Sequence, residues 1–147
     1  MIEKRYAALL KDPGKAGVYR LAAHALEDMI AAARECRFAI FRPVLTGVND
    51  KEKFFAALAR SLSFPDWFGH NWDALEDCLT DLSWRPAEGY LVVLADADEF
   101  LRTRRRDFEM ACRILDAASN YWRSDGVPFW TLIEIRAERI PGLRDLP

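Results

Sequence analysis

The sequence lacks any long apolar run. No stretch of its 147 residues approaches the roughly 20 consecutive apolar residues that a membrane-spanning helix requires. The amino-terminal stretch MIEKRYAALLKDPGK carries scattered charges where a secretory signal would have an apolar core. We therefore expect a soluble protein without a signal peptide, with no membrane contact, and of the size of one globular domain.

Histidine and cysteine are scarce. The sequence has two histidines, His24 and His70, and three widely spaced cysteines, Cys36, Cys78 and Cys112. These residues form neither a disulfide framework nor a metal-ligand doublet, and the sequence contains no glycine-rich phosphate-binding loop. The absences predict a protein with no metal and no cofactor, whose thiols pack as small side chains in a reducing cytoplasm.

Basic residues are nearly missing from one part of the chain. Lysine and arginine total 21, and aspartate and glutamate total 23, so the net charge is only −2. Residues 65–99 nevertheless contain a single fixed cation, Arg85, and nine acids: Asp66, Asp73, Glu76, Asp77, Asp81, Glu88, Asp96, Asp98 and Glu99. Because such a segment repels phosphate, its charge predicts a basic protein as partner and argues against a nucleic acid.

Short apolar runs alternate with helical patterns along the rest of the chain. Buried strands are predicted at residues 38–41, 90–95 and 129–135. Helices are predicted from about residue 21 to Cys36, after an N-cap at Asn49 or Asp50, and over residues 105–123. The alternation indicates an α/β fold with a small three-stranded parallel sheet packed with helices. Residues 1–36 are predicted to form an irregular arm, over residues 1–19, and a helix, both packed on a domain of residues 37–147.

The most informative stretch is FPDWFGHNWDALEDCLTDL, residues 64–82, which contains five carboxylates and no lysine or arginine. Asn71 is a suitable N-cap for a helix. The helical repeat would turn one set of side chains toward the core: Trp72, Leu75, Leu79 and Leu82. The opposite side would present Asp73, Asp77 and Thr80, flanked by Glu76 and Asp81.

Two interpretations of this acidic side are open. An acidic helix face is often only a solvated surface, whose first carboxylates favour the helix dipole. However, like charges four residues apart cost roughly 0.2–0.5 kcal/mol per pair, and Asp77 and Asp81 lie past the first turn, where the dipole no longer helps. Large aromatic residues also precede the acids, and carboxylates beside rigid rings suit an interface with a basic protein.

The segment WFGHNWDALEDCLTDL resembles the signature of the barstar family, intracellular inhibitors of ribonucleases of the barnase type. The matching positions are Gly69, Asn71, Asp73, Ala74, Leu75, Asp77, Cys78, Leu79 and Thr80. The order of predicted elements over residues 37–135 is also similar to the family, and the first 35 residues look like the extension of its longer members. The resemblance implies a barstar-like fold with a helical N-terminal extension. It also implies a bacterial, cytoplasmic inhibitor or toxin-immunity protein that is not an enzyme.

The resemblance further implies how the partner is bound. Carboxylates would occupy the positions of substrate phosphates in the active site of a basic ribonuclease or related toxin nuclease, in a one-to-one complex. Asp77 would be the central phosphate mimic, Asp73 would lie beside it, and Trp67 would stack at the rim. The remaining partner-binding residues would be Gly69, His70, Asn71, Trp72, Glu76, Thr80 and Asp81.

The sequence departs from the family pattern at several of these positions. Trp67 and Phe68 stand where shorter members have tyrosines, Glu76 replaces a tryptophan, and Trp72 replaces a leucine. A glutamate that the family uses near the end of the penultimate helix has no clear counterpart, and Tyr121 lies in that neighbourhood. These differences concern which nuclease is bound.

Two other functions stay open on the sequence alone. His70, Asp73 and Asp77 could form the acid–base or metal site of a small metal-dependent hydrolase or nuclease. The run RTRRR, residues 102–106, could contact nucleic acid, although a run of this kind is more often a solvated edge, and the preceding acids would repel such a ligand. The sequence favours the inhibitor, with a basic ribonuclease as partner and with no nucleic acid bound.

Overall fold

A computed structural model describes residues 2–136, 140 and 142–146. The helices are α1 (Ile2–Leu10), α2 (Leu26–Glu35), α3 (Lys51–Leu62), α4 (Trp72–Leu79), α5 (Asp98–Thr103) and α6 (Arg105–Ser124). The strands are β1 (Val18–Leu21), β2 (Ala39–Phe41), β3 (Tyr90–Leu94), β4 (Phe129–Glu134) and β5 (Arg144–Asp145). A single 3-10 turn, Ala23–Ala25, leads into α2.

All five strands form one parallel sheet in the order β2-β3-β4-β1-β5. Helices cover both faces, so alternate residues of a strand are buried on opposite sides. Leu91 and Trp130 pack under α1 and α2. Val92 and Phe129 pack under α3 to α6. The sheet is therefore the middle layer of a three-layer α/β sandwich.

The sequence predicts three strands, and the sheet has five. The two additional strands are short: β1 has four residues interrupted by Arg20, and β5 has two exposed residues. Neither is long enough to show a period-two pattern, and both are defined by tertiary pairing, Val18 with Thr131 and Tyr19 with Arg144. The prediction of a three-stranded sheet is wrong for this reason.

The predicted arm and first helix also need correction. Residues 1–19 are not irregular throughout, because Ile2–Leu10 forms α1, which packs against α2. The following helix ends near Cys36 as predicted but begins at Leu26, since Leu21 belongs to β1. Helix α5 was not predicted. The division at residue 36 stays a prediction, although β1 lies within the sheet between β4 and β5.

The other predicted elements are confirmed. β2, β3 and β4 lie within the predicted strand regions, and α6 within one residue of its predicted bounds. Asp50, rather than Asn49, is the N-cap of α3, and its Oδ1 accepts a hydrogen bond from Lys53 N at 2.8 Å. The cap satisfies one of the backbone N–H groups that a helix start leaves free.

Candidate functional site

Helix α4 begins where the sequence predicts. Asn71 has an extended backbone at the N-cap, and its Oδ1 accepts a hydrogen bond from Ala74 N at 2.8 Å. Its Nδ2 donates to Gly69 O at 3.2 Å, so this one side chain joins the first turn of the helix to the preceding loop. Leu75 and Leu79 are fully buried beneath the helix. The cap and the core contacts together fix the axis of α4 and leave its opposite face to solvent.

The solvent face of α4 is acidic, as predicted. Asp73, Glu76 and Asp77 are exposed, and Asp81 is exposed in the turn that follows. These four residues are called the acidic surface below. Thr80, half-buried, is the C-cap, and its hydroxyl donates to Glu76 O at 2.8 Å. Because the helix ends just before Thr80, only Asp73 and Asp77 keep the predicted four-residue helical spacing, and Asp81 lies beyond the helix.

The carboxylates of residues 64–82 have no cationic partner among the residues that the structure describes. Among the described residues, the ion pairs join Arg20 to Asp145, Arg42 to Glu27 and Arg105 to Glu109, and none involves this segment. The acidic surface therefore faces solvent without a compensating cation from the part of the chain that the structure describes. An arrangement of this kind binds cations of a partner well, because those cations have no intramolecular competitor.

Trp67 is the exposed ring beside the start of α4. Its side chain is 56% exposed and packs edge-on against Trp84, with ring centroids 6.4 Å apart. Trp84 is itself held on α3, because its Nε1 donates to Leu62 O at 2.9 Å. Phe68, next in the chain, is buried edge-on against Phe55 of α3. The loop before α4 is thus anchored, while Trp67 stays available at the margin.

A second exposed ring, Tyr121, lies on α6. Its side chain is 48% exposed and meets Trp122 edge-on, with centroids 5.5 Å apart. Trp122 Nε1 donates to Leu79 O at 2.8 Å, which places Tyr121 beside the C-terminal end of α4. Tyr121 is not among the contact residues that the sequence predicts. The signal that the sequence offers at this position is a tyrosine next to a tryptophan near the end of a predicted helix.

Trp72 and Gly69 are predicted contact residues that the structure places in supporting positions. The Trp72 indole is half-buried and packs against Phe54 and Phe55, with centroids 6.1 and 4.8 Å apart, so it braces α4 against α3. A Cβ added to Gly69 would come within 3.2 Å of Asn71 Nδ2, the group that bonds the Gly69 carbonyl. A side chain at Gly69 would therefore crowd the cap.

His70 is exposed at the turn into α4. Its backbone φ is 52°, in the left-handed region. Its ring lies against Phe68, with centroids 4.7 Å apart, and Nδ1 is 3.2 Å from Phe68 O. The ring is thus positioned by a buried neighbour and held by one hydrogen bond.

The thiol beneath the acidic surface is weakly acidic. Burial, together with the charges of Asp77 and Asp81, raises the pKa of the Cys78 thiol to about 11. Burial, aided by Glu109 and Asp116, raises the pKa of Cys112 to about 12. Both thiols are therefore protonated at neutral pH, and a protonated thiol is a poor nucleophile.

The two other functions would require a metal or acid–base site around His70, Asp73 and Asp77, or a nucleic-acid contact at residues 102–106. Within the described residues, no set of three or more histidine, cysteine, aspartate or glutamate side chains is placed to hold a metal ion. In the run at residues 102–106 the arginines are exposed; Arg104 Nε donates to Asn49 O at 2.9 Å, and Arg105 pairs with Glu109 at 3.8 Å.

None of the helices in the described part of the chain could cross a membrane.

The Aeropyrum pernix ORC2 protein has a similar fold. Its structure as ADPNP-ADP complexes matches 90% of this chain and 38% of the ORC2 chain, with a TM-score of 0.58 and 16% identity. Its ADP form matches 99% of this chain and 40% of the ORC2 chain, with a TM-score of 0.60 and 15% identity. This chain thus spans about two fifths of the length of the ORC2 chains, and at such identities the likeness concerns the fold alone.

The sequence matches tell more about the site. No curated protein sequence matches the chain. The family model described as barstar (barnase inhibitor) matches residues 38–134, from just before β2 to the end of β4. The matched region includes the whole acidic surface and both exposed rings that flank α4, and the family it describes consists of inhibitors that bind ribonucleases. The resemblance shown by the signature is thereby confirmed, and the chain belongs to the barstar family.

Proposed function

We propose that this protein inhibits a basic ribonuclease by inserting the acidic surface into the nuclease active site. The observation that carries the proposal is the exposed position of Asp73 and Asp77 on α4, where neither pairs with a cation among the described residues, within the region that matches the family. An active site that binds RNA phosphates presents arginine and lysine side chains. Carboxylates pair with these groups by charge-assisted hydrogen bonds, as phosphates do.

The electrostatics of the free protein favour binding. Asp73 and Asp77 repel each other in water by roughly 0.2–0.5 kcal/mol. A cationic partner replaces that repulsion by attraction. The attraction is stronger once the carboxylates are removed from water, because the effective dielectric constant falls. The concentration of acids between residues 65 and 99 would also attract a basic nuclease over a distance.

The two exposed rings complete the proposed interface. Trp67 and Tyr121 lie beside α4, each supported by a tryptophan whose indole nitrogen donates to a backbone carbonyl. Rigid aromatic rings at the margin of an interface bury apolar area with little loss of conformational entropy, and they exclude water from the charged pairs. Glu76, Thr80 and Asp81 lie within this surface and would contact the nuclease as well.

Removing one carboxylate tests the proposal. Asp77→Ala leaves the partner cation buried without its counter-charge, a loss of about 3–5 kcal/mol, which is about 100-fold or more in affinity. The free protein should melt at or slightly above the wild-type temperature, because Asp77 is exposed, makes no ion pair with another described residue and is repelled by Asp73. Inhibition of a barnase-type ribonuclease and thermal melting are measured on the same preparations.

The matched control is Asp116→Ala. Asp116 is an exposed aspartate on α6 that lines the groove between α6, Val18 and Leu143, to which α4 contributes no lining residue among those described. This variant should inhibit as the wild type does. Equal inhibition by Asp77→Ala and wild type would overturn the role of Asp77. Degradation of RNA by the protein alone would contradict an inhibitor.

A further inference from the structure

We propose that, in the free protein, the acidic surface binds a second copy of this chain through a basic surface at the starts of α3 and α6. The product is a weak, salt-dependent dimer with twofold symmetry. A nuclease that binds the acidic surface displaces the second copy. Formation of the dimer does not depend on the proposed function, and only the displacement by a nuclease rests on it.

Two segments that are distant in sequence form the basic surface. Arg104 Nε donates to Asn49 O at 2.9 Å, and Lys53 Nζ donates to Asn49 Oδ1 at 2.9 Å, so one asparagine joins both segments. The buried rings of Phe54 on α3 and Phe100 on α5 stack with centroids 4.9 Å apart and hold the two helices together. The exposed cations of these segments are called the basic surface below: Lys51, Lys53, Arg102, Arg104, Arg105 and Arg106.

Most cations of the basic surface have no acidic partner in their own molecule. Within the part of the chain that the structure describes, Arg105 is the one member with an ion pair, to Glu109 at 3.8 Å. Residues 49–53 and 102–107 also contain Asp50, Glu52 and Asp107, so cations outnumber acids there by six to three. Asp50 is occupied as the cap of α3. The basic surface therefore keeps an excess of positive charge that faces solvent.

The acidic and basic surfaces are complementary in charge. The acidic surface has four exposed carboxylates with no cationic partner among the described residues. The basic surface consists mainly of arginines, whose planar guanidinium groups pair with carboxylates through two parallel hydrogen bonds. The net charge of the chain is only −2, so the overall repulsion between two copies is small. Each copy thus carries both halves of a charged interface.

The positions of the two surfaces permit a closed dimer. Both lie on the layer of helices α3 to α6, on one side of the sheet. Trp72 at the start of α4 packs against Phe54 in the first turn of α3, so the acidic helix begins beside the segment that carries Lys51 and Lys53. In a twofold dimer the acidic surface of each copy meets the basic surface of the other. This arrangement uses all four surfaces and does not continue into a filament.

The dimer should be weak. Exposed ion pairs contribute little individually, and salt screens them over about 10 Å at 0.1 M. We therefore expect the dimer at high protein concentration and low salt, and monomers elsewhere. A nuclease active site that buries the same carboxylates would compete successfully, because charged pairs are stronger when they are removed from water. Self-association would cover the acidic surface without preventing inhibition.

Charge reversal of each surface tests the contact. The base-reversed variant carries Arg102→Glu and Arg106→Glu, at side chains that make no hydrogen bond or ion pair with a described residue. The acid-reversed variant carries Asp73→Lys and Asp77→Lys, both at exposed positions. Each variant alone should dimerise with a dissociation constant higher by about tenfold or more, because both contacts of its dimer lose their attraction.

The matched control carries Lys4→Glu and Lys11→Glu. Both lysines are exposed, one on α1 and one just after it, on the other side of the sheet. The control has the same net charge as the base-reversed variant, so a difference between them reports the location of the charges. Sedimentation velocity up to about 1 mM protein measures dimer formation. The wild type and the control should dimerise at about 10 mM salt and dissociate by about 0.3 M.

A mixture of the two reversed variants provides the most specific result. In a mixed pair, the intact acidic surface of one copy meets the intact basic surface of the other, and the second contact joins lysines to glutamates. The mixture should therefore dimerise more tightly than either variant alone. Adding one equivalent of a barnase-type ribonuclease should convert the wild-type dimer into one-to-one complexes. The base-reversed variant should inhibit that nuclease as the control does.

The outcomes separate the two proposals. A wild type that stays monomeric at low salt and about 1 mM would overturn the dimer and leave the inhibitor function intact. Equal dimerisation of the base-reversed variant and the control, or growth beyond two copies, would overturn it as well. Binding of single-stranded RNA that is lost in the base-reversed variant, without a dimer, would assign the basic surface to nucleic acid instead. A dimer that requires Asp73 and Asp77 but persists with nuclease bound would support this inference and overturn the proposed nuclease-binding site.

Discussion

At the scale of single residues, the side chains of α4 divide by the direction in which they point. Leu75, Cys78 and Leu79 are fully buried and make the helix part of the core. Asp73 and Asp77, on the other side, are exposed and unpaired within the described part of the chain. Substitutions on the two sides should therefore have opposite profiles, with buried positions changing stability and exposed carboxylates changing binding.

The buried thiol of Cys78 should make the free energy of unfolding depend on pH. Burial and the neighbouring carboxylates raise the pKa of its thiol from 9.0 to about 11, so the folded protein keeps this proton to a higher pH than the unfolded chain does. Its contribution to stability is constant below pH 9. Between pH 9 and about pH 11 the unfolded state binds fewer protons, and the free energy of unfolding falls by up to about 1.4 kcal/mol per pH unit for one thiol.

Urea unfolding from neutral to alkaline pH measures this decline. Cys78→Ala is the comparison, because it removes the titrating group while keeping a small apolar side chain. The variant should start from a lower stability and lose less of it between pH 9 and about pH 11. Identical slopes in the two proteins would show that the Cys78 thiol does not contribute.

At the scale of the element, the ends of α4 determine how the acidic surface is presented. His70 before α4 and Leu82 after it both have a left-handed backbone, with φ 52° and 49°. Asn71 caps the first turn and also bonds the Gly69 carbonyl. The helix and the loop that carries Trp67 and His70 therefore form one rigid unit.

Two caps in the same protein allow a matched test of this coupling. Asn71→Ala and Asp50→Ala each remove a side-chain acceptor 2.8 Å from a backbone N–H, at the starts of α4 and α3. Each should lower the free energy of unfolding by about 1 kcal/mol and the melting temperature by about 2–4 °C. Only Asn71→Ala should also weaken inhibition, by about tenfold or more, because it frees the loop before α4. Equal loss of inhibition in both variants would contradict a local role for Asn71.

At the scale of the whole molecule, the amino-terminal segment is built into the core. β1 lies between β4 and β5, and Trp130 near the start of β4 donates from Nε1 to Leu10 O at 2.9 Å. Arg123 near the end of α6 donates to Pro13 O and Ala16 O. Residues outside the region that matches the family thus cover one face of the sheet that supports α4 on its other face.

Residues 37–147 alone should therefore not fold stably. Their sheet would lose β1, and Trp130 and Leu132, fully buried in the whole chain, would be exposed. A substitution in the whole chain measures the contribution of α1 to stability. Leu10→Ala, at a fully buried position, should lower the free energy of unfolding by about 2–5 kcal/mol. Lys11→Ala, at the exposed neighbouring position, should change it by less than about 0.5 kcal/mol.

Circular dichroism and urea unfolding measure both effects. Unfolding of the whole chain should be a single transition. A soluble fragment of residues 37–147 with a native-like cooperative transition would contradict an essential role of β1 and support the division at residue 36. Equal stability of Leu10→Ala and Lys11→Ala would contradict the packing of α1.

The sequence by itself determined the strands β2, β3 and β4, the cap of α4 and the acidic face of α4, and it limited the cap of α3 to Asn49 or Asp50. These features depend on local causes: apolar runs long enough to be buried, side chains that can accept from a backbone N–H, and helical periodicity. The residues of the family signature are contiguous in the sequence, so the resemblance can be recognised without knowledge of the fold. The positions of Asp73 and Asp77 on one exposed face could be predicted for the same reason.

Only the tertiary structure decided the rest. β1 is a strand because it pairs with β4, and β5 is a strand because it pairs with β1; their two to four residues carry no periodic signal. The sequence already places Trp72 on the core-facing side of α4, but its partners there, Phe54 and Phe55, come from α3. Tyr121 adjoins α4 because Trp122 bonds Leu79 O across a sequence separation of 43 residues. Contacts between distant segments depend on the packing of the whole chain, which no local pattern encodes.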